Sequence, residues 1–123
     1  MLFRSEVLFP SGSAELEPQG LIQIANVADA LREIGEKIPK EIDWILQVDG
    51  HTDTRPIRTP QFRSNWELSS ARAIAVVEFL HSRGIPYERL AARGFAEFQP
   101  LESGSDPASL AKNRRIELKI TTR

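Results

Sequence analysis

The stretch from Ile42 to Gly84 leaves the chain few ways to fold. Ile42-Asp43-Trp44-Ile45-Leu46-Gln47-Val48 is short, dense in β-branched and aromatic residues, and bounded by Gly50. That composition predicts a central strand covered on both faces. Ser64-Asn65-Trp66-Glu67 reads as a capping box, with Ser64 at the N-cap and Glu67 reaching back. A helix then runs to about His81-Ser82-Arg83, and Gly84 sits where a C-cap glycine belongs. Leu68, Ala71, Ala75, Val76, Phe79 and Leu80 mark its apolar face. A buried strand, a polar turn and an amphipathic helix, in that order, predict a helix laid on a sheet.

The flanking segments extend this plan. Glu6-Val7-Leu8-Phe9, stopped by Pro10-Ser11-Gly12, predicts a first strand and a turn. Pro18 opens a helical pattern in which Leu21, Ile24, Ala25, Ala28 and Leu31 share a face, and Gly35 and Pro39 close it. Leu90 to Phe95 reads as a third strand, and Gln99 to Lys112 as a loop. Arg115-Ile116-Glu117-Leu118-Lys119-Ile120-Thr121 alternates and reads as a final strand with one wet face. The expected order is β-α-β-α-β-β, an α+β sandwich with two helices on one side of a mixed sheet.

Composition narrows the function. The 123 residues are 41% hydrophobic and 27% charged, which suits one globular domain with a real core. A net charge of -1 argues against nucleic acid, whose phosphates call for a basic surface. The absence of Cys excludes disulfides, zinc-thiolate sites and a thiol nucleophile. No apolar run approaches the roughly 20 residues of a spanning helix, so no direct membrane insertion is expected of this segment. No signal peptide precedes the first strand-like run, which fits either a cytoplasmic protein or a piece of a longer chain.

Two charges carry the chemistry. Arg72 falls on the apolar face of its helix, between Phe79 and Val76, where a guanidinium is costly unless paired. One reading is a structural salt bridge, or a stem lying on the core with its head in water. The other is a bidentate clamp for a carboxylate from outside, which the planar fork of Arg suits. Asp53 follows a strand end in Gly50-His51-Thr52-Asp53, where ligand groups gather; an Asx-turn is the alternative. Together they could read a zwitterion. Asn113-Arg114-Arg115 is either a solvated basic cluster or a second wall of the same pocket. A metal is not expected, because His51 and Asp53 lack further ligands nearby. Ser69 and Ser70 lie mid-helix and do not form a nucleophile elbow.

Four motifs carry a resemblance. Gly50-His51-Thr52-Asp53, Asn65-Trp66-Glu67-Leu68-Ser69-Ser70-Ala71-Arg72-Ala73, Arg93-Gly94-Phe95 with Pro100, and Asn113-Arg114-Arg115-Ile116-Glu117 occur in that order. From about Glu6 to Thr121 the chain resembles the peptidoglycan-binding domain of the OmpA-like family. Arg55-Pro56-Ile57 and Phe62-Arg63-Ser64 resemble the flagellar stator subgroup of MotB.

The resemblance implies a non-enzymatic domain that holds peptidoglycan through the diaminopimelate of its stem peptide, without cofactor or metal. It implies that Asp53 accepts the ammonium of diaminopimelate and Arg72 clamps a carboxylate of the same residue. Asn65 and Leu68 would line the site, with Thr52 and Arg115 nearby. It also implies the periplasm of a Gram-negative cell envelope, with a membrane anchor upstream in a longer protein, and leaves a homodimer open. One departure is Phe9-Pro10-Ser11, where many relatives carry Asp after the first strand. Arg58, in the longer loop, has no assigned counterpart. The alternative is a periplasmic protein-protein adaptor with the same fold and no wall ligand.

Overall fold

A computed structural model describes residues 2–122. Strand β1 (Leu2–Arg4) leads into a single helical turn, α1 (Ser5–Leu8). Helix α2 (Pro18–Lys37), strand β2 (Trp44–His51) and helix α3 (Asn65–Ser82) follow. Strand β3 (Leu90–Gly94), helix α4 (Pro107–Asn113) and strand β4 (Arg115–Thr122) complete the order. One mixed sheet runs β1-β4-β2-β3. Strand β4 is antiparallel to both β1 and β2, and β2 is parallel to β3 through the α3 crossover. The α+β architecture with helices on a mixed sheet is therefore the expected one.

Strand alternation sorts the chemistry of the two sheet faces. Leu46 and Val48 of β2, with Ile116 and Leu118 of β4, join Ile24, Ala28 and Leu31 of α2 and Ala73, Val76 and Leu80 of α3 in one core. The opposite face is ionic rather than covered by a second apolar layer, which corrects the expectation for β2. There Arg93 Nε and Nη2 grip the fully buried Asp49 at 2.8 Å each, and Lys119 lies 3.7 Å away. Arg93 also lies over the Phe95 ring, which itself stacks on His51.

Several local expectations need correction. The segment Glu6 to Phe9 is not the first strand. Leu8 and Phe9 are both buried, which alternation in a half-wet strand forbids, and the Phe9 N–H closes a helical turn on the Ser5 carbonyl at 2.6 Å. Gly35 does not end α2, which runs on to Lys37; its missing side chain lets Trp44 pack against the helix. The capping box is shifted by one residue. The Ser64 side chain makes no capping bond, and Glu67 accepts from the Arg63 N–H at 3.2 Å. The stretch from Gln99 to Lys112 holds all but the last residue of α4, whose N-cap Asp106 accepts from the Ser109 N–H and hydroxyl. Gly84 does close α3, at φ +104, with its N–H on the His81 carbonyl.

Candidate functional site

A cleft of about 650 Å³ opens where β2 ends against the start of α3. Its walls come from α1 and the turn after it, the loop beyond β2, the first two turns of α3 and the junction of α4 and β4. Close approach of α3 to the sheet makes the site possible. A Cβ at Gly50 would run into the Ser69 backbone, and one at Gly94 into Ser69 and Ser70. Asn65, Leu68 and Arg72 then fall at i, i+3 and i+7 and present one face to the cleft.

Arg72 is only 4% exposed. Its Nε donates to the Ser13 carbonyl at 2.8 Å, its Nη2 donates to the Pro10 carbonyl at 3.1 Å, and its guanidinium lies over the Phe9 ring. These bonds fix the turn between α1 and α2 but leave the charge without a carboxylate. Burial, aided by repulsion from Arg114, lowers its pKa to about 10, while Asp53 and Glu6 attract from a distance. The buried cation is held by carbonyl dipoles and the Phe9 ring, with no carboxylate bonded to it among the described residues, and faces an open cleft.

Asp53 is also buried. Its carboxylate accepts from the Arg55 N–H at 2.9 Å, from Arg55 Nε at 3.0 Å and from Arg114 Nη1 at 2.6 Å. Burial alone would raise its pKa, but the hydrogen bonds from Arg55 and Arg114 outweigh that and hold the carboxyl below its usual range. Asn65 ties the loop to the helix, donating through Nδ2 to the Arg55 carbonyl at 3.1 Å and to Glu97 at 3.4 Å. Thr52 donates its hydroxyl to the Asp53 carbonyl at 3.0 Å. Glu6 completes the charged lining, 3.6 Å from Arg114.

The structure thus brings Asp53, Arg72, Thr52, Asn65 and Leu68 together, and leaves Arg115 out. Arg115 pairs with Glu117 and donates to the Gln99 carbonyl at 2.8 Å on the ionic face of the sheet. Its neighbour Arg114 is the residue that enters the cleft. Arg55, from the longer loop, is a second contributor that no periodicity marks. Pro10 stands on the cleft wall and contributes its carbonyl to Arg72. Among the described residues no three His, Asp or Glu side chains gather where a metal could bind, and no helix is long and apolar enough to cross a membrane.

Fold and cleft together define a small α+β domain whose cleft holds both a buried guanidinium and a carboxylate that do not bond to each other. The chain belongs to the OmpA family, which matches residues 8–114. The Bacillus subtilis proteins YtxE, uncharacterised, and Motility protein B are 34% and 30% identical over 121 residues, 98% of this chain. The chain spans about half the length of these curated relatives, 47% and 44%. The periplasmic domain of Helicobacter pylori MotB shares the fold at a TM-score of 0.83 and 25% identity, over 99% of this chain and 81% of that one. The cell wall anchor of the type VI secretion system of Pseudomonas aeruginosa gives 0.83 at 31% identity, over 98% and 78%. These matches bear out the OmpA-like, MotB-like resemblance. Domains of this family are non-enzymatic anchors associated with peptidoglycan and the cell envelope.

Proposed function

We propose that this domain binds peptidoglycan non-covalently through the diaminopimelate of the stem peptide, and so anchors an envelope protein to the cell wall. The observation that carries this reading is Arg72, a buried guanidinium with no carboxylate of its own in a cleft that also holds Asp53. Diaminopimelate ends in a carbon bearing both an ammonium and a carboxylate. The carboxylate pairs with Arg72 and supplies the missing anion. The ammonium takes Asp53 in exchange for a guanidinium already there. Asn65 holds the loop in place, and Leu68 and Thr52 line the wall. No bond is broken, so the site needs no nucleophile.

A lysine-type stem keeps the ammonium but lacks the neighbouring carboxylate, and so leaves Arg72 unmatched. A charge-assisted hydrogen bond contributes roughly 1.5–3 kcal/mol, so the lysine-type stem should bind about ten- to a hundredfold more weakly. Calorimetric titration with soluble muropeptides of both types tests this, and equal affinity for the two overturns it. We further propose that the domain lies in the periplasm of a Gram-negative cell, as part of a longer protein whose upstream segment carries the membrane anchor. Its span of about half its curated relatives supports the longer protein, and its likeness to the periplasmic domain of Helicobacter pylori MotB supports the compartment.

A further inference from the structure

Asp53 is already engaged within the chain. Arg55 Nε and Nη2 reach its Oδ2 at 3.0 and 2.8 Å, and Arg114 Nη1 reaches the same oxygen at 2.6 Å. A ligand ammonium arriving there would meet three guanidinium nitrogens already crowded on one carboxylate oxygen. That arrangement is repulsive at close range, so one guanidinium must leave.

The structure separates the two candidates. The Arg114 side chain is 24% exposed, lies at the junction of α4 and β4, and also faces Glu6. Its carbonyl accepts from the Ser5 N–H at 2.8 Å, which ties it to α1. The Arg55 side chain is 63% exposed and stands on a loop. Its backbone is nevertheless fixed on both sides, the N–H on Asp53 and the carbonyl under Asn65. A long side chain on an anchored Cα can swing its head without moving the loop.

We infer that Arg55 is a specificity-determining latch. It holds Asp53 and, on loading, yields Asp53 to the ligand's ammonium and turns to the carboxylate on the same carbon. The inference rests on reading the cleft as a diaminopimelate site. Ammonium and carboxylate sit side by side on that carbon, so the guanidinium moves no further than the width of the ligand head. Its planar fork suits the carboxylate it meets there. A stem ending in lysine displaces Arg55 from Asp53 and offers no anion in return. Arg55 therefore adds to the discrimination that Arg72 supplies.

The test is calorimetry with two synthetic stem tetrapeptides, one carrying diaminopimelate and the other lysine at the third position. Wild type, Arg55→Gln and Arg55→Lys are compared, with thermal melts to establish that each is folded. Arg55→Gln removes both the competitor and the clamp. The lysine peptide should bind more tightly and the diaminopimelate peptide should not, so the preference shrinks about tenfold or more. Arg55→Lys keeps a cation on Asp53 without the fork. The lysine peptide should stay near its wild-type affinity while the diaminopimelate peptide weakens. Should Arg55→Gln melt early, Arg55→Lys decides alone. A wild type that binds but keeps its preference in the variants overturns the latch and leaves the cleft reading standing. A wild type that binds neither peptide overturns that reading and the latch with it.

Discussion

Arg72 and Asp53 line one cleft without touching each other. Arg72 donates to the carbonyls of Ser13 and Pro10, and Asp53 accepts from Arg55 and Arg114. Two opposite charges that share one cleft yet remain apart leave room for a ligand between them. A direct pair would have closed the cleft and made both residues structural.

Arg72→Ala should abolish peptide binding and leave the fold nearly unchanged. The variant loses two bonds to carbonyls of the turn at 10–13, which the open cleft can hydrate. It is also relieved of a buried cation that lacks a carboxylate. These effects offset, and a net change within about 1 kcal/mol is expected, a few degrees in Tm for a chain of this size. Breaking a buried internal ion pair would instead cost about 3–5 kcal/mol. A thermal melt of the ligand-free variant separates the two outcomes.

Asp53→Asn and Asp49→Asn should part company. Asp49 lies on the opposite sheet face, gripped by Arg93. Its loss should destabilise the domain by about 1–3 kcal/mol, since Arg93 is half-exposed and can fall back on water. It should leave the affinity for a diaminopimelate muropeptide unchanged. Asp53→Asn should weaken that affinity about ten- to a hundredfold. Isotherms for both variants against the same muropeptide check this. Equal weakening by Asp49→Asn would put the site on the wrong side of β2.

Much of this was legible in the chain because helical and strand periods mark their own faces. Helical spacing put Leu68 and Arg72 on one side of α3, and the resemblance added Asn65. Asn113-Arg114-Arg115 read as a possible second wall of the pocket, but which arginine enters it escaped, because strand parity depends on register. The pairing of His51 with Arg115 turns Arg115 to the ionic face, and a one-residue slip would have reversed the two arginines. The first strand was misplaced because Val7-Leu8-Phe9 suits a buried turn as well as a strand. Helix α4 was hidden by two prolines and Gly104, although Asp106-Pro107 is itself a helix-start signal. Arg55 was marked only by the Arg55-Pro56-Ile57 resemblance and not as a site residue, since its contact with Asp53 depends on how the loop folds.

Gly50→Ala should cost about 3 kcal/mol, at the upper end for overpacking. The added Cβ would run into the carbonyl of Ser69, which is backbone and cannot rotate away. Helix α3 would have to lift from the end of β2, carrying Asn65 and Arg72 with it. Both stability in urea and muropeptide affinity should fall. Loss of stability with the affinity intact would show that the close approach of α3 does not position the site.

His51 should make the fold sensitive to mild acid independently of any ligand. The ring is buried against Phe95, with Nε2 3.4 Å from Glu117 and no hydrogen-bond partner on Nδ1. Burial, aided by Arg115 and opposed by Glu117 and Asp49, lowers its pKa from 6.5 to about 4, and Lys119 pushes the same way as Arg115. The unfolded chain takes up a proton near pH 6.5 and the folded domain resists it down to about pH 4. Across that window the unfolded state binds more protons, so stability rises with pH. The contribution is fully present above pH 6.5 and is lost as the pH falls toward 4, at most about 3 kcal/mol in all. Urea unfolding of wild type and His51→Gln at several pH values in this range measures it. The carboxylates titrate in both proteins and largely cancel in the difference, which should shift in favour of the variant as the pH drops. A difference that stays constant with pH would show that the folded ring protonates as readily as the unfolded one.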